Sequence, residues 1–274
     1  LTRLGSRLVN AWIWPVTVLT VLVGFLYVAA VFLVTAPFDP GRYAAGRAFR
    51  HLGMFVAIVN PYWHFRTEGV RIRDPRRPYV AVSNHESYAD IFLISHLPWE
   101  MKWLSKTTIF RIPVMGWMMR MAGDVPIVRG DRQSGVRALG ACRDRLNKRV
   151  SVMIFPEGTR APTEALLPFK DGAFLLAIDA QLPILPIAVA GTRYAMAKGS
   201  FEFRPATARC RVLDPVETTG LTDADVPRLR DHVRGLIDAA RRSMREELGL
   251  PPLTIDPLPI EPLVTPAATP VAAS

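Results

Sequence analysis

Tyr79-Val80-Ala81-Val82-Ser83-Asn84-His85-Glu86-Ser87-Tyr88-Ala89-Asp90 is the stretch from which the rest of the chain can be read. It opens as a short β-type run over 79–82 and breaks at Ser83-Asn84, residue types that favour turns and helix caps. An apolar run with helix-like spacing follows over 91–97. This order predicts a strand, a loop holding His85, and a helix with Asp90 in its first turn. On one continuous helix, residues five apart are separated by about 140° and cannot face each other. In a loop entering a helix, the imidazole can fold back onto the carboxylate. A carboxylate on one ring nitrogen fixes the tautomer and leaves the other nitrogen as a general base. With five His in the chain, the pair by itself is weak evidence.

Downstream, strand-like and helix-like pieces alternate. Strands are expected at 101–104, 125–128, 150–155, 184–190 and 209–213, and helices around 136–146, 169–180 and 223–248. In the last helix Val226, Leu229, Val233, Leu236, Ala240 and Met244 make one apolar stripe. The alternation predicts an α/β fold, a mixed, largely parallel sheet flanked by helices. Between the second and third strands lie Lys106 and a Met/Trp-rich run, TTIFRIPVMGWMMRMAG, which reads either as core or as the wall of a groove.

Upstream, no charged residue occurs over 8–38, and 11–36 is almost wholly apolar. That exceeds the ~20 residues needed to cross a bilayer core and is too long for the apolar part of a signal peptide. Basic residues flank it on both sides (Arg3 and Arg7, then Arg42, Arg47 and Arg50), so the positive-inside rule gives no clean orientation. The next apolar piece, 52–63, is too short to span. The pair reads as a helical hairpin lying partly in one leaflet, with Pro15 and Gly24 as candidate bends. Residues 1–65 are accordingly expected to be a membrane-embedded helical segment, 66–250 a catalytic domain, and 251–274, rich in Pro and Ala, a disordered tail.

Composition agrees. Hydrophobic residues make up 50% of 274 and the mean hydropathy is +0.17, high for a soluble domain. The formal charge is +10, and residues 1–75 carry eight Arg against three acidic residues. This favours an anionic membrane surface as partner, and no zinc-finger, helix-turn-helix or RNP-like pattern supports nucleic acid. Cys142 and Cys210 have no metal-type spacing and read as buried thiols in a reducing compartment.

A second motif, Phe155-Pro156-Glu157-Gly158-Thr159-Arg160, ends the expected 150–155 strand. Ligands in open α/β sheets gather outside the carboxyl ends of strands. Arg160 offers a planar fork suited to phosphate, and Glu157 can hold that fork or accept from a substrate hydroxyl.

Together the motifs resemble the glycerolipid acyltransferases, the family that includes lysophosphatidic acid acyltransferase. That family carries N-H-x-x-x-x-D, here Asn84, His85 and Asp90, and F-P-E-G-T-R, complete here at 155–160. A middle block, K-x-x-L-x-x-x-P-x-x-G then G-x-x-x-x-x-R, is met by Lys106, Ile109 in place of Leu, Pro113 and Gly116, then Gly123 and Arg129. An apolar strand carrying Pro186 supplies the last block, and the likeness runs over about 65–215. The resemblance implies transfer of a fatty acyl group from acyl-CoA or acyl carrier protein, as co-substrate, to the hydroxyl of a lysophospholipid acceptor. It implies His85 and Asp90 as the catalytic pair, and Lys106, Arg129, Glu157, Gly158, Thr159 and Arg160 as the substrate-binding set. No metal and no cofactor are called for. The acceptor is expected to be lysophosphatidic acid, with lyso-ornithine lipid, glycerol 3-phosphate or a glycolipid as alternatives, and a non-catalytic scaffold as the reading outside enzymes. Such donors are cytoplasmic, so the domain is expected on the cytoplasmic side of the cell membrane among membrane lipids, with both chain ends on that side.

Overall fold

The computed structural model describes residues 3–197, 199–200, 202–260 and 263, the side chains of 3–9 excepted. Two helices come first, α1 (Arg3–Thr35) and α2 (Tyr43–Val59), followed by strand β1 (Trp63–Gly69). The quoted stretch then forms β2 (Val80–Ser83), a loop, and α3 (Ala89–Ile94). The chain goes on through β3 (Met101–Lys106), α4 (Met115–Ala122), β4 (Val125–Ile127), α5 (Arg132–Asn147) and β5 (Ser151–Ile154). It ends with α6 (Gly172–Ala180), β6 (Ile184–Ala190), α7 (Thr192–Ala195), β7 (Ala206–Val212) and α8 (Val226–Glu247).

The strands make one sheet in the order β1-β7-β6-β2-β5-β3-β4, parallel at every step except β6 against β7. β2 lies near the middle and is buried throughout. Its period of two sorts the core. Val80 and Val82 pack with Leu146 of α5, Phe174 of α6 and Val233 of α8. Tyr79 and Ala81 pack on the other side with Leu93 and Ile94 of α3 and with Trp103. Fully burying each large apolar side chain contributes about 1.5–3 kcal/mol.

Three expectations change. β1 starts at Trp63, so the boundary expected at 65/66 falls inside a strand. The stripe of α8 runs through buried Ile237, while Leu236 is only half-buried. The disorder expected from 251 does not hold for 251–260, which lie along α8. There Arg242 donates to the carbonyls of Ile255 (2.9 Å) and Asp256 (2.8 Å), and the Leu258 amide donates to Asp238 (3.2 Å). The rest of the expected tail, residue 263 apart, lies outside the described residues, as do Leu1 and Thr2.

The N-terminal segment is a hairpin of α1 and α2. α1 continues through both Pro15 and Gly24, so neither breaks the helix. Gly24 serves close approach instead, because a Cβ there would run into Leu52 of α2. Near its start, Asn10 exchanges two hydrogen bonds with the main chain of Phe203, at 2.9 and 3.0 Å. Past its end, the Arg42 carbonyl accepts from Lys102 Nζ at the amino end of β3 (2.6 Å). The helix, roughly 50 Å long at 1.5 Å per residue, is thus tied to the domain near its start, and the turn that follows it is tied to β3. Its outer face is apolar and exposed at Trp12, Leu19, Val23, Leu26 and Leu33.

Candidate active site

β2 and β5 are neighbours, with Val82 opposite Ile154, so their carboxyl ends deliver the two motifs side by side. Asn84 continues the ladder with its side chain, accepting from the Val189 amide (2.8 Å) and donating to the Val189 carbonyl (3.0 Å). The chain then turns. His85 Nδ1 meets Asp90 Oδ2 at 2.7 Å, and the same oxygen accepts from the amides of Glu86 (2.8 Å) and Ser87 (3.0 Å). The other oxygen, Oδ1, accepts from the Thr192 hydroxyl. Asp90 is fully buried and His85 nearly so. Besides the imidazole, Asp90 thus accepts from two main-chain amides and a hydroxyl. Its hold on Nδ1 puts the imidazole proton there and leaves Nε2 with a lone pair.

The second motif is laced to the first. Glu157 Oε1 accepts from the His85 amide (2.7 Å) and Oε2 from the Leu167 amide (2.9 Å), while the Ala161 amide donates to the His85 carbonyl (2.9 Å). The Phe155 ring stacks on the imidazole with centroids 4.0 Å apart. Burial pushes the Glu157 carboxyl up to about 7, and the two amides pull the other way. Gly158 turns the chain at φ +70°, a conformation that glycine adopts without strain. Thr159 is exposed at the tip. Arg160 folds back so that its guanidinium lies 3.8 Å from the Tyr88 ring centroid. Arg129 comes to the same place. Burial lowers its pKa, Tyr88 raises it, and the nearby Arg160 cation lowers it again. Lys106 stands exposed at the carboxyl end of β3, beside Ile127 of β4. Among the described contacts, none joins it to the two arginines.

The comparisons with known proteins follow this geometry. A family model described as Acyltransferase matches residues 64–190. A chloroplastic 1-acyl-sn-glycerol-3-phosphate acyltransferase of Brassica napus is 46% identical over 158 residues, 56% of this chain and 46% of its own. The human 1-acyl-sn-glycerol-3-phosphate acyltransferase beta is 33% identical over 208 residues, covering 73% of this chain and 72% of its own. The chain belongs to the 1-acyl-sn-glycerol-3-phosphate acyltransferase family. The fold is shared with the crystal structure of the 1-acyl-sn-glycerophosphate acyltransferase PlsC from Thermotoga maritima, at a TM-score of 0.65 and 23% identity, over 85% of this chain and 98% of that one. The chain spans under half the length of the plant relatives it matches.

The acyltransferase match covers every residue read from the motifs and stops short of two that the structure adds. Thr192 follows β6 at a turn where Gly191 has φ +93°, and it holds Asp90 from across the site. It is 102 residues from Asp90, so no local pattern reveals it. The one available signal is its place after the carboxyl end of a buried strand. Arg241 of α8, fully buried, donates from Nε to Glu86 Oε1 (2.7 Å) and from Nη2 to the Glu164 carbonyl, tying the His85 loop to the loop after Arg160. Glu157, read as holding the Arg160 fork or accepting from a substrate hydroxyl, has main-chain partners instead. Both its oxygens are taken by main-chain amides, which bind the two motifs into one piece.

Beside this site opens an apolar groove of about 410 Å³ between α1, α2, α3 and α4. Tyr88, the platform of Arg160, lines its near end. Ile109, Ile112, Met115, Met118 and Met119 supply one wall, so the Met/Trp-rich run contributes five groove residues while Trp117 points out. Arg50 and Asp124, a buried ion pair, stand in the lining as well.

Proposed function

We propose that the protein moves a fatty acyl group from a thioester, acyl-CoA or acyl carrier protein, to the free hydroxyl of lysophosphatidic acid, giving phosphatidic acid. The observation that carries the reading is the His85–Asp90 pair, laced to the 155–160 turn and opening beside an apolar groove. His85 Nε2 takes the proton of the acceptor hydroxyl as its oxygen attacks the thioester carbonyl. The C–S bond then breaks, and the same proton goes to the leaving thiolate. Asp90 orients the ring and stabilises the imidazolium, with the substrate in the place a serine takes in hydrolases. No acyl-enzyme forms on this route. General-base catalysis of this kind is worth about 10²–10⁴ in rate. Arg160 and Arg129, with Lys106 at the rim, meet the phosphate of the acceptor, and the groove takes an acyl chain.

The membrane completes the reading. At about 0.8 kcal/mol per buried CH₂, a long acyl chain holds its lipid in the bilayer by roughly 10 kcal/mol. The enzyme therefore works at the surface, with the exposed apolar face of α1 in the leaflet. A helix standing across a bilayer would leave the domain behind, whereas α1 is tied to Phe203 near its start and packs farther along on α2 and α4, and the turn after it is tied to β3. That supports a hairpin lying in one leaflet, on the cytoplasmic side where the donors are.

The test is acyl transfer by purified protein in detergent, offered lysophosphatidic acid, lyso-ornithine lipid, glycerol 3-phosphate and a lysoglycolipid in turn. Preference for another acceptor would reassign the substrate, and no transfer to any would remove the catalytic reading. Arg160→Ala is expected to raise acceptor KM about tenfold or more with kcat largely kept. A fall in kcat alone would show that Arg160 is no phosphate clamp.

A further inference from the structure

Trp117 is the aromatic side chain of α4, and it does not line the groove. It is 52% exposed, although its neighbours Met118 and Met119 are buried. Ile112, ahead of the same helix, is also 52% exposed while it lines the groove, so it stands at the rim. The patch is continuous with a larger one. The Trp117 ring meets Phe25 of α1 with centroids 5.8 Å apart. On either side of Phe25 along α1, Leu22 is 52% exposed and Leu26 67%. Cations border the patch on the other side, because Arg111 and Arg120 are both exposed and the Arg120 guanidinium lies 5.9 Å from the Phe110 ring centroid. An apolar strip carrying a Trp and edged by Arg has the chemistry of a bilayer boundary. The indole sits at head-group level and the guanidinium reaches outward to lipid phosphates.

We infer that the 109–122 segment is a third membrane-contacting element, seated in the same leaflet as α1 and α2. It rests on the membrane reading above and extends it beyond the N-terminal helices to the far wall of the groove. With Trp117 packed against α1 and Ile112 at the rim of the groove, the opening lies in lipid. Acyl chains then pass between leaflet and groove without crossing water.

Nitroxide labels on Leu26→Cys, Ile112→Cys, Trp117→Cys and Val136→Cys of the full chain test this, since both native cysteines are buried. Val136, 67% exposed on α5, is the apolar control away from the patch. In vesicles of equal parts phosphatidylcholine and phosphatidylglycerol, labels at 26, 112 and 117 are expected to gain oxygen collisions and lose collisions with a water-soluble nickel chelate. The label at 136 is expected to do neither. If 26 inserts while 112 and 117 behave like 136, the inference is overturned and the membrane reading stands. If 26 also behaves like 136, the membrane reading falls and takes the inference with it. A second arm uses Trp117→Gln, which is expected to weaken vesicle binding several-fold and leave transfer in detergent micelles unchanged. Unweakened binding would overturn the inference independently of the labels.

Discussion

Two buried polar clusters sit at opposite ends of the same sheet, and they are built on different rules. At the carboxyl ends of β2 and β5, Asp90 and Glu157 are met mainly by main-chain amides and a hydroxyl. At the amino ends of β3 and β4, four charges answer one another. Arg50 of α2 pairs with Asp124 and lies 3.7 Å from Glu100, and Glu100 holds Lys102 at 3.1 Å. The Trp103 amide also donates to Asp124 (2.9 Å). Burial raises the Glu100 carboxyl and lowers the Lys102 ammonium, with each partner's charge opposing the shift of the other. The tetrad is neutral as a set and fastens α2 to the sheet. The site leaves one imidazole nitrogen uncommitted. Polar burial alone does not mark a site; a group left able to exchange a proton does.

The contrast can be broken most sharply at His85. His85→Ala is expected to lower acyl transfer by at least 10²–10⁴ while the midpoint of thermal unfolding changes little. Loss of stability with retained turnover would make the pair a structural one like the tetrad. Arg50→Met is expected to do the reverse, destabilising the fold by about 3–5 kcal/mol because Asp124 is left buried without its cation. Urea denaturation reads this directly, and a change below about 1 kcal/mol would remove the structural role. Thr192→Val takes one hydroxyl from Asp90 and should cost about 1.5–3 kcal/mol, the scale of a hydrogen bond to a charged group. It should appear as a roughly tenfold or larger drop in kcat with acceptor KM held, and an unchanged kcat would show that Asp90 needs no support from that side.

A more gradual effect concerns Glu157 and pH. Folded Glu157 keeps its proton up to about pH 7, whereas its ordinary value is 4.5. Between those values the folded state binds more protons than the unfolded one, so this residue's contribution to stability falls as pH rises through the window. The slope cannot exceed about 1.4 kcal/mol per pH unit. Glu157→Gln should flatten the decline of unfolding free energy between pH 5 and 7, and an unaltered slope would assign it to other groups.

What the chain discloses follows the range of the interactions. His85 and Asp90 are five apart and both belong to one strand-loop-helix passage, so their meeting is written locally. The 155–160 turn is legible because a strand must end there. Thr192 and Arg241 act across 102 and 155 residues, and only the order of strands brings them in. β1 is hidden for a different reason. As an edge strand it mixes buried Trp63 with exposed His64, Arg66 and Thr67 and has no clean alternation. The tetrad is hidden because Glu100 and Lys102 read as polar positions at the start of a strand, and their partner Arg50 lies on the N-terminal hairpin. That hairpin was read as a separate segment, yet it shares its buried charges and its groove with the sheet.

The clasp between Asn10 and Phe203 closes over 193 residues. At a synthesis rate of about 5–20 residues per second, α1 leaves the ribosome roughly 10–40 s before its dock exists. During that interval α1 has α2, and later α4, to pack on, but not the loop that clasps its start. The order of events follows from topology: α1 is synthesised well before the loop ahead of β7 that clasps it.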